Sequence, residues 1–78
     1  MKQPELTESK ANNLIKFIMG VEIIRRYDPD AEMAVNHGFI YVGDYNLSYS
    51  KMMELDKAKM KALGWVEGDK AWAFFVPG

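Results

Sequence analysis

The chain has 78 residues, of which 49% are hydrophobic and 13% aromatic, and its net charge is −1. A single domain of this size has a thin core, and because the chain has no cysteine it lacks disulfides and thiolate metal ligands. The near-neutral charge argues against a dedicated DNA or RNA binder, no apolar run is long enough to span a membrane, and the polar N-terminus lacks the apolar region of a signal peptide. We therefore expect a soluble, cytoplasmic protein.

The first predicted element is a long amphipathic helix from Glu5 to Tyr27. Thr7 or Ser9 can cap its start, and Pro29 ends it because a residue before proline is pushed out of the helical region. Apolar residues recur at helical spacing within an arc of roughly 120°, which predicts a core stripe. The members of this stripe are Leu14, Phe17, Ile18, Val21 and Ile24.

A second apolar stripe follows a different face of the same helix. Ile15, Met19 and Ile23 recur every four residues, where a helix packed on one side of a sheet should be polar. We expect this stripe to contact a second copy of the chain or another protein. The alternative is that more of the same chain covers it.

The segment "AEMAVNHGFIYVGD" predicts a β-hairpin with a two-residue turn at His37-Gly38, where the glycine supplies the positive φ of a type I′ turn. One side of this hairpin combines Phe39 and Tyr41 with Ala34 and Asn36. The other side is purely aliphatic and is the predicted core face. It consists of Met33, Val35, Ile40 and Val42.

The next segment, "GDYNLSYS", is predicted to be a connection, in which Ser48 or Ser50 caps the helix that follows. The sequence "SKMMELDKAKMKALG" predicts that second helix, which ends at Gly64. Its polar face carries Glu54, Lys57 and Lys61. Its predicted inner face consists of Met52, Leu55, Ala62 and Leu63.

A second hairpin closes the chain, with strands at 65–67 and 70–76 and a turn at Gly68-Asp69. This register places Trp65 directly across from Trp72. The order α-β-β-α-β-β predicts an α+β fold in one domain: a two-layer sandwich of a four-stranded antiparallel sheet with two helices on one face.

The aromatic side chains of the second hairpin are expected to form the core under the helices. Full burial of a tryptophan or phenylalanine side chain stabilises a protein by roughly 2–3 kcal/mol, and a small domain without disulfides needs that contribution. The alternative is that Trp65, Trp72 and Phe74 are exposed as a binding platform. If the tryptophans face inward, Phe39, Tyr41 and Phe75 remain on the outer face of the sheet as a predicted interaction patch.

Residues typical of catalysis or metal binding are sparse. His37 is the only histidine and falls in a predicted turn, so we expect neither a zinc site nor a general base there. The carboxylates of "DPDAE" lack the glycine and the distal glutamate of a calcium loop, and we expect Asp28, Asp30 and Glu32 to be a solvated edge after the helix. We expect no metal, no cofactor and no enzymatic activity.

The C-terminal tail, in which "LGW" follows a helix and "WAFFV" follows a short turn, resembles that of small uncharacterised proteins from phages and their bacterial hosts. The matching positions are 63–65 and 72–76, with His37 in an earlier hairpin turn. The resemblance implies no particular activity. It implies an accessory protein of viral or mobile-element origin.

Two functions remain as hypotheses. The first is a small non-enzymatic protein that forms a homodimer or binds another protein through Ile15, Met19 and Ile23 or through the outer aromatic patch. The alternative is a nucleic-acid-binding accessory module, in which lysines grip the phosphates and exposed aromatic rings stack on bases. The lysines of that alternative are Lys57, Lys59, Lys61 and Lys70.

Overall fold

The computed structural model describes the chain from residue 4 to residue 76, with side chains from residue 12 onward. Three helices and four strands follow one another along this part of the chain. Their bounds are α1 (Pro4–Tyr27), β1 (Met33–Asn36), β2 (Phe39–Val42), α2 (Tyr45–Lys51), α3 (Glu54–Ala62), β3 (Trp65–Gly68) and β4 (Ala71–Phe75).

The four strands form one antiparallel sheet in the order β1-β2-β4-β3, so each hairpin supplies one edge strand and one central strand. The helices lie on the face of the sheet that carries the two tryptophans. The predicted α+β architecture, with helices on one face of a four-stranded antiparallel sheet, is confirmed, and one helix more than predicted belongs to it.

Helix α1 ends at Tyr27 as expected, and Asp28 closes its last turn by donating its backbone N–H to the carbonyl of Ile24 at 2.8 Å. The Asp28 carboxylate is buried and accepts the backbone N–H of Asp44 at 2.9 Å. The expectation that Asp28 is solvated is therefore wrong, since it ties the end of α1 to the start of α2. The expected caps Thr7 and Ser9 lie outside the side chains that the structure describes.

The predicted connection after the first hairpin is instead the short helix α2. Asp44 caps it with an extended backbone and a carboxylate that accepts the N–H of Leu47 at 3.0 Å. Ser48, one of the two expected caps, is fully buried inside this helix and accepts the indole N–H of Trp72 at 2.8 Å. A residue predicted for a cap therefore serves as a core hydrogen-bond partner.

Helix α3 begins at Glu54, because the chain is extended at Met52 and Met53. This start rotates the predicted inner face: Asp56 and Met60 are buried, whereas Leu55 is 65% exposed. Asp56 tolerates burial because its carboxylate accepts the hydroxyl of Tyr27 and pairs with Arg26 at 3.5 Å. Met52 is buried as predicted, in the link before the helix.

The second hairpin has a different register from the predicted one, because its turn is at Asp69-Lys70. Trp65 consequently faces Phe74 rather than Trp72. Gly68 belongs to β3, where an added Cβ would lie 2.9 Å from the Cβ of Ala73. The shift is two positions, which is even, so the same residues as predicted share each face of the sheet.

The core forms between the sheet and the helices. Trp65 and Trp72 are only 2% and 3% exposed, which confirms that both indoles are inside. The ring of Phe17 stacks on Trp65 with centroids 5.5 Å apart and tilts against Phe74 at 5.8 Å. The buried apolar cluster consists of Ile23, Ile24, Val42, Met52, Met60, Trp65, Trp72 and Phe74.

Candidate interaction surfaces

The side of α1 that faces away from the sheet carries more apolar side chains than a fully solvated helix face usually does. Ile15 and Met19 are 52% and 45% exposed, and Leu14 and Ile18, which were predicted to be core, are exposed to a similar degree. Ile23 is buried at 3% and does not belong to the exposed surface. Ile23 belongs instead to the buried apolar cluster between the helices and the sheet.

Strand β1 is the second part of this surface. Met33 and Val35 share a face with the buried Val42 and were predicted to be core, but they are 63% and 67% exposed. They are exposed because β1 is an edge strand, and the helices cover the sheet nearer its other edge. Every residue of β1 is exposed.

The position of α3 indicates which flank of α1 is turned toward β1. Tyr27 reaches Asp56 of α3 from one flank of α1. Leu14 and Ile18 lie on the opposite flank at helical spacing, and α3 continues directly into β3, the edge strand farthest from β1. Leu14 and Ile18 are therefore turned toward the β1 side of the sheet. We call the combined surface the aliphatic band; it consists of Leu14, Ile15, Ile18, Met19, Met33 and Val35.

The backbone of β1 adds hydrogen-bonding groups to this surface. Gly43 donates its N–H to the carbonyl of Glu32 at 2.8 Å, so these two residues form a hydrogen-bonded pair of the β1–β2 ladder. In an antiparallel ladder such pairs alternate with pairs that do not exchange hydrogen bonds. The N–H and C=O groups of Met33 and Val35 consequently point away from β2, along the free edge of the sheet.

The outer face of the sheet carries the predicted aromatic patch. Phe39 lies 5.1 Å from Phe75 and 6.1 Å from Tyr41, measured between ring centroids. Phe39 and Tyr41 are half-buried, and Phe75 is 51% exposed. None of the strand residues that share this face is charged. They are Ala34, Asn36, Phe39, Tyr41, Val66, Gly68, Ala71, Ala73 and Phe75.

A shallow hollow between α2, α3 and β3 brings tyrosines and lysines together on the helix side. Tyr45 and Tyr49 stack with centroids 4.9 Å apart, and the ammonium of Lys57 lies 4.3 Å from the centroid of the Tyr49 ring. Lys57 also pairs with Glu54 at 3.2 Å. Burial raises the pKa of Tyr45, and Tyr49 and Glu67 raise it further.

The residues of the nucleic-acid alternative do not form one surface with the aromatic patch. Lys57, Lys59 and Lys61 are on α3 in the helix layer, and Phe39, Tyr41 and Phe75 are on the opposite face of the sheet. Lys70 lies in the β3–β4 turn, and both tryptophans are buried. The aromatic rings beside the lysines are instead those of Tyr45 and Tyr49.

Between residues 4 and 76, none of the helices combines the length and the hydropathy needed to cross a bilayer. Among the side chains that the structure describes, from residue 12 to residue 76, no three histidines, aspartates or glutamates come close enough together to hold a metal ion. Comparison of the chain with protein-family models, with curated proteins and with solved structures finds no match.

Proposed function

We propose that this chain is a small non-enzymatic interaction protein that associates with a second copy of itself through the aliphatic band. The observation that carries the proposal is the exposure of six large aliphatic side chains on α1 and on the edge strand β1, each between 45% and 67% exposed. Exposed apolar surface of this extent is typical of contact sites.

The size of the band fits a modest interface. With roughly 90 Å² of each side chain in water, the band amounts to about 500 Å², and a standard protein–protein interface buries about 800 Å² per partner. Self-association removes this surface from water at about 25 cal/mol per Å², which adds to the stability of a thin core. The expected product is a reversible dimer.

The aliphatic band supports the proposal better than the outer aromatic patch does. Phe39 and Tyr41 are half-buried against their neighbours, so Phe75 is the one ring of the patch that is more than half exposed. The patch remains a second contact surface, available to a different protein when two copies are joined through the band.

Sedimentation velocity over a range of concentrations tests the proposal with two matched variants. Ile18→Asp places a charge in the band, and Leu55→Asp places the same charge on α3 at a leucine that is 65% exposed, against 46% for Ile18. We expect the native chain and Leu55→Asp to dimerise and Ile18→Asp to remain a folded monomer, as judged by circular dichroism. A native chain that is monomeric at every concentration contradicts the proposal.

Two further results would favour a different contact surface or a different function. If Phe75→Asp abolishes association and Ile18→Asp does not, the contact is the aromatic patch. If oligonucleotides bind at low salt and dissociate as salt rises, the nucleic-acid alternative is favoured instead. In that case Lys59→Glu and Lys61→Glu should weaken the binding.

A further inference from the structure

The free edge of β1 has features that native proteins usually avoid. Edge strands are commonly protected by lysine, proline, a bulge or inward-pointing charges, because unpaired N–H and C=O groups attract another strand. β1 has the sequence Met-Ala-Val-Asn and contains none of these protective features. The backbone groups that point to the free edge are those of Met33 and Val35, and the side chains of the same two residues are exposed on the helix side of the sheet. Such an edge is suited to the addition of a strand.

We propose that two copies of the chain join by antiparallel pairing of β1 with β1 across a twofold axis at Ala34. The two sheets then form one continuous sheet of eight strands, four from each copy. This inference rests on the proposed function and specifies its geometry, since the aliphatic band defines which surface is buried and β1 defines how the copies are aligned.

The register follows from the direction of the backbone groups. With Ala34 opposite Ala34 of the partner subunit, Met33 lies opposite Val35 of the partner subunit, and both residues of that pair have outward N–H and C=O groups. All the outward groups of Met33 and Val35 in both copies are thereby satisfied. Residues directly opposite each other share a face, so the aliphatic side chains of both strands meet on the helix side.

The same axis brings the rest of the band together. A twofold axis perpendicular to the sheet keeps the helices of both copies on one side of it. The α1 flank that carries Leu14 and Ile18 is turned toward β1, so the two flanks face each other above the paired strands. Met33 and Val35 from both copies fill the space between them, which buries the part of the band that adjoins the edge.

The second edge of the sheet is less suited to this role. β3 carries Glu67 on the helix side, and pairing β3 with itself would bring two carboxylates close together without a basic partner on that strand. In the β1 pairing, by contrast, Glu32 lies opposite Asn36 of the partner subunit, so an acceptor meets a donor. This carboxylate–amide match occurs twice in the symmetric pair, which favours a second copy over an unrelated strand.

An introduced cysteine tests the register directly, because the chain has none of its own. In the proposed pair the two Ala34 residues are opposite but do not exchange hydrogen bonds. Their Cα atoms are then about 4.5 Å apart, within the range of a disulfide. We expect Ala34→Cys to form a covalent dimer under mild oxidation. Val66→Cys, an exposed outer-face position on the other edge strand, is the matched control.

The expected yield of covalent dimer on a non-reducing gel is at least about tenfold higher for Ala34→Cys than for Val66→Cys, because pairing holds the thiols at a high effective concentration. Equal yields from the two variants, or cross-linking through cysteine at residue 33 or 35 instead of 34, would overturn the proposed pairing.

A second pair of variants tests the backbone. Val35→Pro removes an N–H that points to the free edge, and Glu67→Pro removes the corresponding outward N–H on β3. We expect the dissociation constant of the dimer to rise at least about tenfold for Val35→Pro and to change little for Glu67→Pro. The reason is that each lost pairing bond also leaves a group of the partner strand unsatisfied. Equal dimerisation of the two variants contradicts strand pairing, provided that both keep the native circular dichroism spectrum.

The inference and the proposed function can fail separately. A dimer that is abolished by Ile18→Asp but shows no preferential cross-link through residue 34 overturns the strand pairing and leaves the proposed function intact. A native chain that stays monomeric in sedimentation at every concentration overturns both.

Discussion

Gly20 allows the indole of Trp65 to lie directly against the backbone of α1. A Cβ at residue 20 would be 2.0 Å from Nε1 of Trp65 and 2.4 Å from its Cε2, far inside van der Waals contact. At this close approach the indole donates its N–H to the carbonyl of Lys16 at 3.2 Å. The helix therefore meets the edge strand β3 through a glycine, and the packing of α1 on the sheet depends on that position.

Gly20→Ala tests this contact. In an exposed helix the change would stabilise by about 0.5–1 kcal/mol, because glycine is a poor helix former. Here the added methyl group displaces the indole, and we expect a loss of about 1–3 kcal/mol in the free energy of unfolding. Denaturant titration measures it. The loss should be smaller in the Trp65→Phe background, and equal losses in both backgrounds would show that the indole is not responsible.

Ser48→Ala tests the hydrogen bond that holds the second indole. Removing the hydroxyl leaves the Nε1 N–H of Trp72 buried without an acceptor, and we expect a loss of about 1–3 kcal/mol in the free energy of unfolding. Ser50→Ala is the control in the same helix, since the Ser50 hydroxyl is exposed and donates only to the carbonyl of Leu47. Urea titration should show a lower free energy of unfolding for Ser48→Ala and little change for Ser50→Ala.

Lys70→Gly tests the turn between β3 and β4. Lys70 has a φ of +68°, and Asp69 before it has a φ of +54°, so the turn requires the left-handed conformation twice without a glycine. Glycine relieves strain at residue 70, and we expect a gain of about 0.5–1 kcal/mol in the free energy of unfolding. Lys59→Gly, inside α3, should instead cost about 1 kcal/mol. A melting temperature that falls in both variants would contradict the argument.

We expect the protein to lose stability in alkaline solution because of Tyr45. Burial, Tyr49 and Glu67 raise its pKa in the folded state above the ordinary value of 10.0. As the pH rises, the unfolded chain therefore loses the phenol proton before the folded chain does. The contribution of this group to the free energy of unfolding is fully present below pH 10 and is lost as the pH rises through the folded-state pKa. Tyr45→Phe should reduce the slope of stability against pH in this range. Tyr49→Phe serves as the control and should retain most of the slope.

The sequence allowed the type of most elements to be predicted, but not which faces are covered. The helical period over α1 and the His37-Gly38 turn were sufficient for the first helix and hairpin. Leu14, Ile18 and Ile23 were assigned to the wrong sides, because the orientation of α1 depends on the bulk of Trp65 at Gly20 and on the neighbouring helices. These contacts join residues far apart in the sequence, which periodicity within one helix does not reveal.

Helix α2 was missed for a different reason. Its seven residues are rich in serine, asparagine and tyrosine, which are weak helix formers, and such a short helix is marginal by itself. The Asp44 cap and the burial of Ser48 against Trp72 stabilise it in the fold. Asp44, three residues before Leu47, was the one local signal that could have identified it.

The exposed apolar residues were predicted in part. Ile15, Met19 and the outer aromatic patch are where the sequence suggested, but Met33 and Val35 were expected in the core. The alternation along β1 correctly predicted that Met33 and Val35 lie on the helix side of the sheet. The strand order β1-β2-β4-β3 places β1 at an edge that the helices do not cover, so both side chains are exposed. Strand order is a property of the whole sheet, so a single hairpin cannot indicate it.

The burial of both indoles gives the molecule two built-in optical probes. Trp65 donates to a carbonyl of α1 and Trp72 to a hydroxyl of α2, so their fluorescence depends on different helices. A chain with Trp72→Phe would emit only from the contact with the first helix, and one with Trp65→Phe only from the contact with the second. Time-resolved refolding of the two can establish which helix docks first.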